Sequence, residues 1–227
     1  MCGRYFLTAP GEVLADLFEL PPEAVADCRQ LAPRYNIAPT QQVPIVRQTA
    51  DGPRELAMVR WGLIPHWAKE KAIGNKLINA RGETLAEKPT FRDAFKRRRC
   101  LIPASGFYEW KKQGATKQPY VLRLRSGEPF ALAGLWSSWS DPEIGLPLET
   151  CTIITTTPNE VASIVHDRMP VILDRTKYAL WLDSGEPASS FTELFHPYPA
   201  SEMEAFPVSR RVNSPAIDAP ENIEPIA

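Results

Sequence analysis

Four residues at the start of the chain, Met1-Cys2-Gly3-Arg4, could carry out chemistry that no internal segment can. If Met1 is removed, as a small second residue generally permits, Cys2 presents an α-amine beside a thiol. The amine can form an imine with an aldehyde, and the thiol can then close a five-membered thiazolidine ring. The α-amine has a pKa of roughly 7.7–8.0, whereas the thiol, at about 8.5, needs help to ionise. Taken alone, these residues also fit a second interpretation, in which Cys2 is an ordinary small apolar residue at a frayed terminus.

A second candidate is a carboxylate surrounded by aromatic residues in the segment CLIPASGFYEW, residues 100–110. The pattern predicts a strand, a turn and a second strand on which Phe107 and Glu109 share one face. Desolvation in such surroundings would raise the pKa of the carboxyl toward neutrality and suit it for proton transfer. The alternative is an exposed Glu109 on an edge strand, paired with Lys111 or Lys112.

A third candidate is the sequence His166-Asp167-Arg168-Met169-Pro170, which follows a short helix predicted after Pro158. A histidine at a helix end, next to Asp and Arg, is well placed for acid–base chemistry. The alternative is a purely structural role, in which Asp167 meets the hydrogen-bonding requirement of His166.

Three polar residues alternate in the segment INARGET, residues 78–84. If the segment is extended, Asn79, Arg81 and Glu83 project from one face. Such a face is costly to bury unless it lines a site. The alternative is the solvent-exposed face of a sheet.

Charge is segregated along the chain although the net charge is only −1. Residues 54–125 contain 17 Lys and Arg against 6 Asp and Glu, a net of +11, while the residues before them total −2 and those after −10. Trp61, Trp67 and Trp110 are interleaved with these cations, and Trp67, next to two lysines, is the better candidate for an exposed stacking surface. A groove for single-stranded nucleic acid needs both features, charge for phosphates and rings for bases. The alternative is a solvated face with scattered lysines.

Hydrophobic periodicity predicts many short strands and a few short helices. Residues 33–40, with two prolines, predict an ordered loop, and Asp51-Gly52-Pro53 predicts the turn of a hairpin. The predicted helices cover 10–20, 90–99 with Thr90 as N-cap, and 175–183, in addition to the short one after Pro158. The predicted strands include 43–47, 55–61, 119–125, 130–136 as a central strand, 150–157 and 171–173.

The composition limits the classes of protein to which this chain can belong. The 227 residues are 44% hydrophobic and 23% charged, which is typical of a globular protein, and the 23 prolines predict short elements. The four cysteines are widely spaced, which favours a reducing compartment, and neither a signal peptide nor a membrane-length apolar run is evident. No dinucleotide, phosphate-loop or metal-ligand spacing is present. We therefore expect a cytoplasmic protein with no cofactor, no metal and no membrane partner.

Several segments in a fixed order resemble the SOS response-associated peptidase family, also called SRAP domains. The resemblance runs from Cys2 to about Asn213 and departs from the family at Gly82, where a residue with a side chain is expected; glycine there would loosen the loop. The matching segments are MCGR at the start, RYNIAP at 34–39, WGLIPHW at 61–67, INARGET at 78–84, CLIPASGFYEW at 100–110, TTTPN at 155–159, HDRMPVIL at 166–173 and PVS at 207–209.

The resemblance implies a single α+β domain, residues 1–213, of curved, barrel-like antiparallel sheets with short peripheral helices. The last 14 residues contain three prolines and three acidic groups and predict a flexible tail at 214–227. The resemblance also implies an activity in the response to DNA damage. Such a protein binds single-stranded DNA and crosslinks to abasic sites through a thiazolidine on its N-terminal cysteine. We expect a monomer that is associated with the nucleoid when bound to DNA, although the sequence itself does not indicate the oligomeric state.

The resemblance assigns roles to individual residues. It makes Cys2 the nucleophile and assigns phosphate contacts to three arginines and base contacts to two other residues. The supporting polar groups are Asn79, Glu109 and His166. The phosphate ligands are Arg4, Arg81 and Arg168, and the residues that pack against bases are Pro39 and Trp67.

Two alternative functions remain open at this point. One is a thiol peptidase that uses Cys2 with His166 and whose narrowest substrate would be its own Met1 or leader. A lyase activity on the abasic site is a further expectation of the crosslinking function. The other is a non-covalent single-strand-binding module in which Cys2 is incidental.

Overall fold

The chain forms two β-sheets and several short helices, described for residues 2–49, 52–141 and 145–226 in the computed structural model. The strands are β1 Tyr5–Leu7, β2 Arg34–Ile37, β3 Gln42–Gln48, β4 Arg54–Trp61, β5 Asn79–Arg81, β6 Arg99–Ala104, β7 Gly106–Gln113, β8 Thr116–Leu124, β9 Phe130–Ser140, β10 Pro147–Thr156, β11 Met169–Pro170, β12 Ile172–Leu173 and β13 Met203–Pro207. The α-helices are α1 Gly11–Leu17, α2 Pro22–Arg29, α3 Pro89–Arg97, α4 Glu160–Ser163 and α5 Tyr178–Leu182. Short 3-10 helices occupy Lys71–Lys76, Gly82–Thr84, Arg175–Lys177, Ala188–Phe195, Ala200–Glu202, Arg210–Asn213 and Pro220–Ile223.

Five strands of the larger sheet close into a ring. β10 pairs with β4, β4 with β3, β3 with β6 and β6 with β9, and β9 returns to pair with β10. The β4–β10 pair is parallel and the other four pairs are antiparallel. Closure removes the exposed edges that an open sheet would leave on these strands. The predicted α+β fold of curved, barrel-like sheets with short helices is therefore confirmed.

Strand β9 is central to the ring, as its apolar sequence predicted. It pairs with β6, β10 and β12, and residues 130–135 are all buried. A strand buried on both faces has no need for polar alternation, which explains its continuous apolar run.

The smaller sheet, in the order β13-β8-β7-β1-β2, holds the start of the chain. β1 lies between β2 and β7, because Tyr5 pairs with Ile37 on one side and with Phe107 on the other. Just before β1, the carbonyl oxygen of Arg4 accepts a hydrogen bond of 2.9 Å from the N–H of Tyr108. The first residues therefore have a fixed place beside β7.

The prediction of a loop at 33–40 was wrong, because the middle of this segment forms β2. Its two prolines, Pro33 and Pro39, flank the strand and leave its hydrogen bonding intact. The Asn36 side chain, which favoured a turn, donates instead to the carbonyl oxygen of Ile217 at 2.7 Å. Pairing with β1 and this distant contact outweigh the local turn signal.

Two helices begin at a proline, α2 at Pro22 and α3 at Pro89. Proline suits the first helical position because the N–H it lacks would have no helical partner there. The pair Pro21-Pro22 predicted only an end to the preceding helix, so α2 was missed. For the same reason the N-cap of α3 is Lys88 and not Thr90 as predicted.

The C-terminal residues pack against the domain. The sequence predicted a flexible tail at 214–227, but within the described part, 214–226, Pro225 forms a β-bridge with Val208 and Asn222 is fully buried. Oδ1 of Asp218 accepts a hydrogen bond from the N–H of Tyr35 on β2. The polar and proline-rich composition that suggested a loose tail serves hydrogen bonding to the domain instead.

Strands β3 and β4 form the predicted hairpin. Its predicted turn includes Asp51, which lies outside the described residues, as does Met1 at the start of the chain. Across the three described ranges, no helix combines the length and the apolar character needed to cross a membrane.

The contact between β1 and β7 requires a glycine at position 106. A Cβ on Gly106 would lie 2.3 Å from Cζ of Phe6 and 2.9 Å from the carbonyl oxygen of Leu122. We expect Gly106→Ala to lower the free energy of unfolding by about 1–3 kcal/mol, as overpacking does, in urea denaturation. Gly185→Ala is the control, because its Cβ would meet only a side-chain oxygen of Asp183, at 3.2 Å. Equal losses in the two variants would contradict this account.

Candidate active site

The Cys2 side chain is fully buried. Its Sγ lies 3.9 Å from the carbonyl oxygen of Arg4. Burial raises the pKa of the thiol, and the negative charge of Glu109 acts in the same direction. The sequence indicated only that this thiol needs help to ionise, and its burial disfavours the thiolate further. Reaction at Sγ therefore requires a change in its surroundings, such as the arrival of a positive charge.

Asn79 holds the backbone of Cys2. It lies on β5, which runs parallel to β10 with Asn79 opposite Ile153. Its Nδ2 donates to the carbonyl oxygen of Cys2 at 2.8 Å. Its Oδ1 is buried and accepts no hydrogen bond from the residues that the structure describes. An open acceptor thus lies beside the predicted nucleophile.

Glu109 is a buried carboxyl group on an interior strand. It is 3% exposed, and β7 pairs with β1 on one side and β8 on the other, so the alternative of an exposed edge-strand residue paired with Lys111 or Lys112 is wrong. Phe107 joins the main core and Tyr108 a second cluster, as the predicted alternation requires. Burial raises the pKa of Glu109 to about 7. A carboxyl that is half protonated near neutral pH can both give and accept protons.

His166 is held in a way that accommodates both of its protonation states. Its Nδ1 lies 3.1 Å from the backbone nitrogen of Arg168 and 2.8 Å from Oδ1 of Asp167. In the neutral ring, Nδ1 accepts the Arg168 N–H and the proton is on Nε2; in the protonated ring, Nδ1–H donates to Asp167. Burial lowers the pKa of His166, and the positive charge of Lys117 acts in the same direction. The protonated ring is therefore a stronger acid than free imidazolium.

One cleft of about 390 Å³ brings the two acid–base candidates together. It is lined by Glu109, Trp110, Lys117, His166 and Asn213. The sequence singled out the carboxyl, the indole and the imidazole but missed the lysine and the asparagine. Lys117 was hidden among many basic residues, and Asn213 enters the cleft from the end of the chain.

The guanidinium of Arg4 points into the protein. Its Nη1 donates to Oδ1 of Asn36 at 2.6 Å and to the carbonyl oxygen of Val212 at 2.8 Å. The residue is 9% exposed, and its Cζ lies 5.9 Å from the centroid of the Trp110 ring. The predicted phosphate contact would thus fall on a side chain that already joins distant segments of the chain.

Arg168 is also bound within the protein. Its guanidinium makes a bidentate ion pair with Glu83, at 2.6 and 2.9 Å, and donates to the carbonyl oxygen of Thr155 at 2.7 Å. The hydrogen bonds from Arg168 lower the pKa of the Glu83 carboxyl. The predicted alternation from Asn79 to Glu83 is correct only as far as Arg81, because a 3-10 helix begins at the next residue. Glu83 therefore does not continue the polar face of β5.

The other three predicted DNA contacts lie in different surroundings. Arg81 is exposed at the end of β5, and Pro39 is half-buried just after β2. Trp67 is 53% exposed and lines a separate hollow of about 490 Å³ with Lys69 and Lys76. Its exposure agrees with the predicted stacking surface.

Gly82 does not leave a gap in its loop. A Cβ at this position would lie 2.9 Å from Cγ of Phe195, so the ring of Phe195 occupies the space that a side chain would need. The sequence suggested that glycine would loosen the loop, but the residue is buried and packed.

Comparison with known proteins identifies the family of this chain. The family described as SOS response associated peptidase (SRAP) matches residues 1–215, and the chain belongs to this family. It is 45% identical over 229 residues to the abasic site processing protein YoqW of Bacillus subtilis (strain 168), with 99% of each chain covered. It is 35% identical over 225 residues to the abasic site processing protein HMCES of Gallus gallus, with 86% of this chain and 66% of that protein covered.

Solved structures show the same fold. An X-ray crystal structure of a protein from Bacteroides thetaiotaomicron superposes with a TM-score of 0.89 at 26% identity, with both chains fully covered. A protein from Bordetella bronchiseptica gives a TM-score of 0.75 at 26% identity over 92% of this chain and all of that one. The arrangement of closed and open sheets is therefore common to these proteins.

The burial of Glu109 predicts a pH-dependent stability. Its pKa is about 7 in the folded protein and about 4.3 in an unfolded chain, so the folded state binds more protons between these values. Stability of the wild type should fall as pH rises through this window, by about 4 kcal/mol at most. Because Gln does not titrate, Glu109→Gln should gain stability relative to wild type over the same range in urea denaturation. Glu193→Gln, at an exposed position, is the control, and a difference that is constant with pH would contradict the assignment.

Proposed function

We propose that this protein, after removal of Met1, crosslinks covalently to abasic sites in single-stranded DNA through a thiazolidine on Cys2. The observation that carries the proposal is the hydrogen bond from Asn79 to the carbonyl of Cys2, in a site where the charge of Glu109 acts on the thiol. Glu109 in turn lines one cleft with His166. A relative that is similar over 99% of both chains is named an abasic site processing protein, which supports the same conclusion.

The reaction begins with opening of the sugar. An abasic sugar is a hemiacetal in equilibrium with its open-chain aldehyde. Protonated His166, whose lowered pKa makes it a stronger acid than free imidazolium, gives its Nε2 proton to O4′ as the C1′–O4′ bond breaks. The C1′ hydroxyl gives its proton to the Glu109 carboxylate, and C1′ becomes an aldehyde. The open Oδ1 acceptor of Asn79 suits the new 4′ hydroxyl.

The amine of Cys2 then attacks C1′. A C1′–N bond forms, and a proton moves from nitrogen to the former carbonyl oxygen. Glu109, now protonated, gives its proton to this hydroxyl, which leaves as water, and an iminium ion remains. A carboxyl with a pKa of about 7 can serve in both directions of this transfer at neutral pH.

Ring closure completes the crosslink. The Glu109 carboxylate takes the proton of the thiol, Sγ bonds to C1′, and the C=N electron pair returns to nitrogen. The iminium charge appears next to Sγ at this stage and offsets the burial that keeps the thiol protonated in the free protein. One aldehyde and one aminothiol thus give one thiazolidine and one water. The iminium stage also permits elimination of the 3′ phosphate, so the proposal includes a lyase activity.

The substrate is single-stranded because a lesion within a duplex must first be unstacked to reach a protein terminus. Cationic residues concentrated between positions 54 and 125 supply affinity for phosphates. We include in the proposal a role in the DNA damage response inside the cell, at the nucleoid when DNA is bound.

The thiol peptidase alternative is less well supported. A thiol nucleophile that attacks amides acts as the thiolate, which requires a depressed pKa. Burial raises the pKa of Cys2 instead. A peptidase would also keep its activity with the Cys2 amine capped, whereas thiazolidine formation would not.

Replacement of Cys2 tests the covalent step. The mature protein is incubated with an oligonucleotide that carries one abasic site, and a shifted band is sought on a denaturing gel. We expect a band for wild type, none for Cys2→Ala, and an unchanged band for Cys28→Ala, which removes another buried thiol. An equal band from Cys2→Ala, or retention of Met1 in the crosslinking protein by mass spectrometry, would overturn the proposal.

Replacement of Glu109 separates chemistry from binding. General acid–base catalysis typically contributes about 10²–10⁴-fold, so we expect Glu109→Ala to slow crosslinking by about 10²-fold or more. Affinity for an oligonucleotide without the lesion, measured by fluorescence anisotropy, should stay close to wild type. If that affinity collapses with the rate, Glu109 has a structural role only.

A further inference from the structure

Two lysines face each other on the hairpin that leads away from the cleft. Lys112 of β7 pairs directly with Lys117 of β8, and both are exposed. Side chains at directly opposed positions lie on the same face within about 5.5 Å at Cβ, and like charges there destabilise a sheet. A pair of this kind therefore costs stability unless an anion binds between or above the two groups.

A third cation lies at the tip of the same hairpin. Arg210 donates from Nη2 to Oγ1 of Thr116 at 3.4 Å, one residue before Lys117. In the described parts of the chain, no carboxylate forms an ion pair with Arg210, Lys112 or Lys117. The three charges are thus available to an external polyanion.

An aromatic ring continues this row toward the reaction cleft. Trp110 is two residues before Lys112 on β7, so its side chain lies on the same face. Its Nε1 donates to Oδ1 of Asn213 at 2.8 Å, which fixes the plane of the half-buried ring. Trp110 and Lys117 both line the cleft that holds Glu109. The row therefore starts at the candidate active site and ends at the hairpin tip.

We propose that this row, formed by Trp110, Lys112, Lys117 and Arg210, is a track for the DNA strand on one side of the abasic site. The lysines and the arginine bind successive phosphates, and the ring packs against the base or sugar nearest the lesion. The inference rests on the proposed function and extends it, since no residue of the row is among the phosphate contacts expected from the family.

Two of the three arginines expected to bind phosphates already have partners within the protein, which supports a separate track. Arg4 and Arg168 already donate to partners within the protein, whereas neither Lys112 nor Lys117 forms an ion pair with any residue that the structure describes. Unpaired surface cations can bind phosphates without breaking an internal contact.

The salt dependence of binding tests the track. For single-stranded DNA, log K falls with log salt by about 0.7 for each phosphate contact. The probe is a fluorescent single-stranded oligonucleotide without an abasic site, titrated at several salt concentrations. We expect Lys112→Gln and Lys117→Gln each to reduce the slope by about 0.7, and the double variant by about 1.4. Lys177→Gln, an exposed lysine elsewhere with the same charge change, should leave the slope unchanged.

The outcomes are separable from those of the crosslinking assay, because the probe contains no reactive sugar. Wild-type slopes for both hairpin variants, or an equal reduction in Lys177→Gln, would overturn the track even if crosslinking is intact. A reduced slope confined to the hairpin variants would support it even if no crosslink formed. All three positions are exposed, and a matching thermal midpoint for each variant confirms that it is folded.

Discussion

The site depends on the hydrogen bonding of the first residues to β7. The N–H of Tyr108 donates to the carbonyl of Arg4, and the N–H of Ser105 donates to the carbonyl of Phe6, both at 2.9 Å. Chain termini usually fray, yet a reacting terminus must keep a fixed distance from the groups that move its protons. Pairing of β1 on both sides, with β2 and with β7, turns a mobile end into a positioned one.

Burial favours the uncharged forms of three side chains in this site. It raises the pKa of Cys2 and of Glu109 and lowers the pKa of His166, so all three favour their uncharged forms. A site of low polarity disfavours any isolated charge but strengthens the attraction between opposite charges once both are present. Burial therefore disfavours the thiolate of Cys2 in the free protein, and in the proposed mechanism the cationic intermediate would offset this effect.

Local sequence patterns predicted the features that depend on neighbouring residues. Alternating apolar and basic residues identified β8, and an aromatic setting identified a carboxyl with a raised pKa. The loop predicted at 33–40 was wrong because the conformation of Asn36 depends on Ile217, 181 positions away. In the same way, residue type indicated Arg168 as a cation but not its ion pair with Glu83, 85 positions earlier in the chain. Partners at such separations leave no trace in a local pattern.

The hydrogen bond between Arg4 and Val212 has a consequence for the timing of synthesis. The two residues are 208 positions apart, so the enclosure around the N-terminus is complete only near the end of translation. At about 5–20 residues per second, the growing chain exposes its first residues for on the order of 10–40 s. Enzymes that trim nascent chains can act in this interval, before the N-terminal residues are enclosed. Under the proposed function, the same enclosure would shield the aminothiol of the mature protein from small aldehydes until DNA binds.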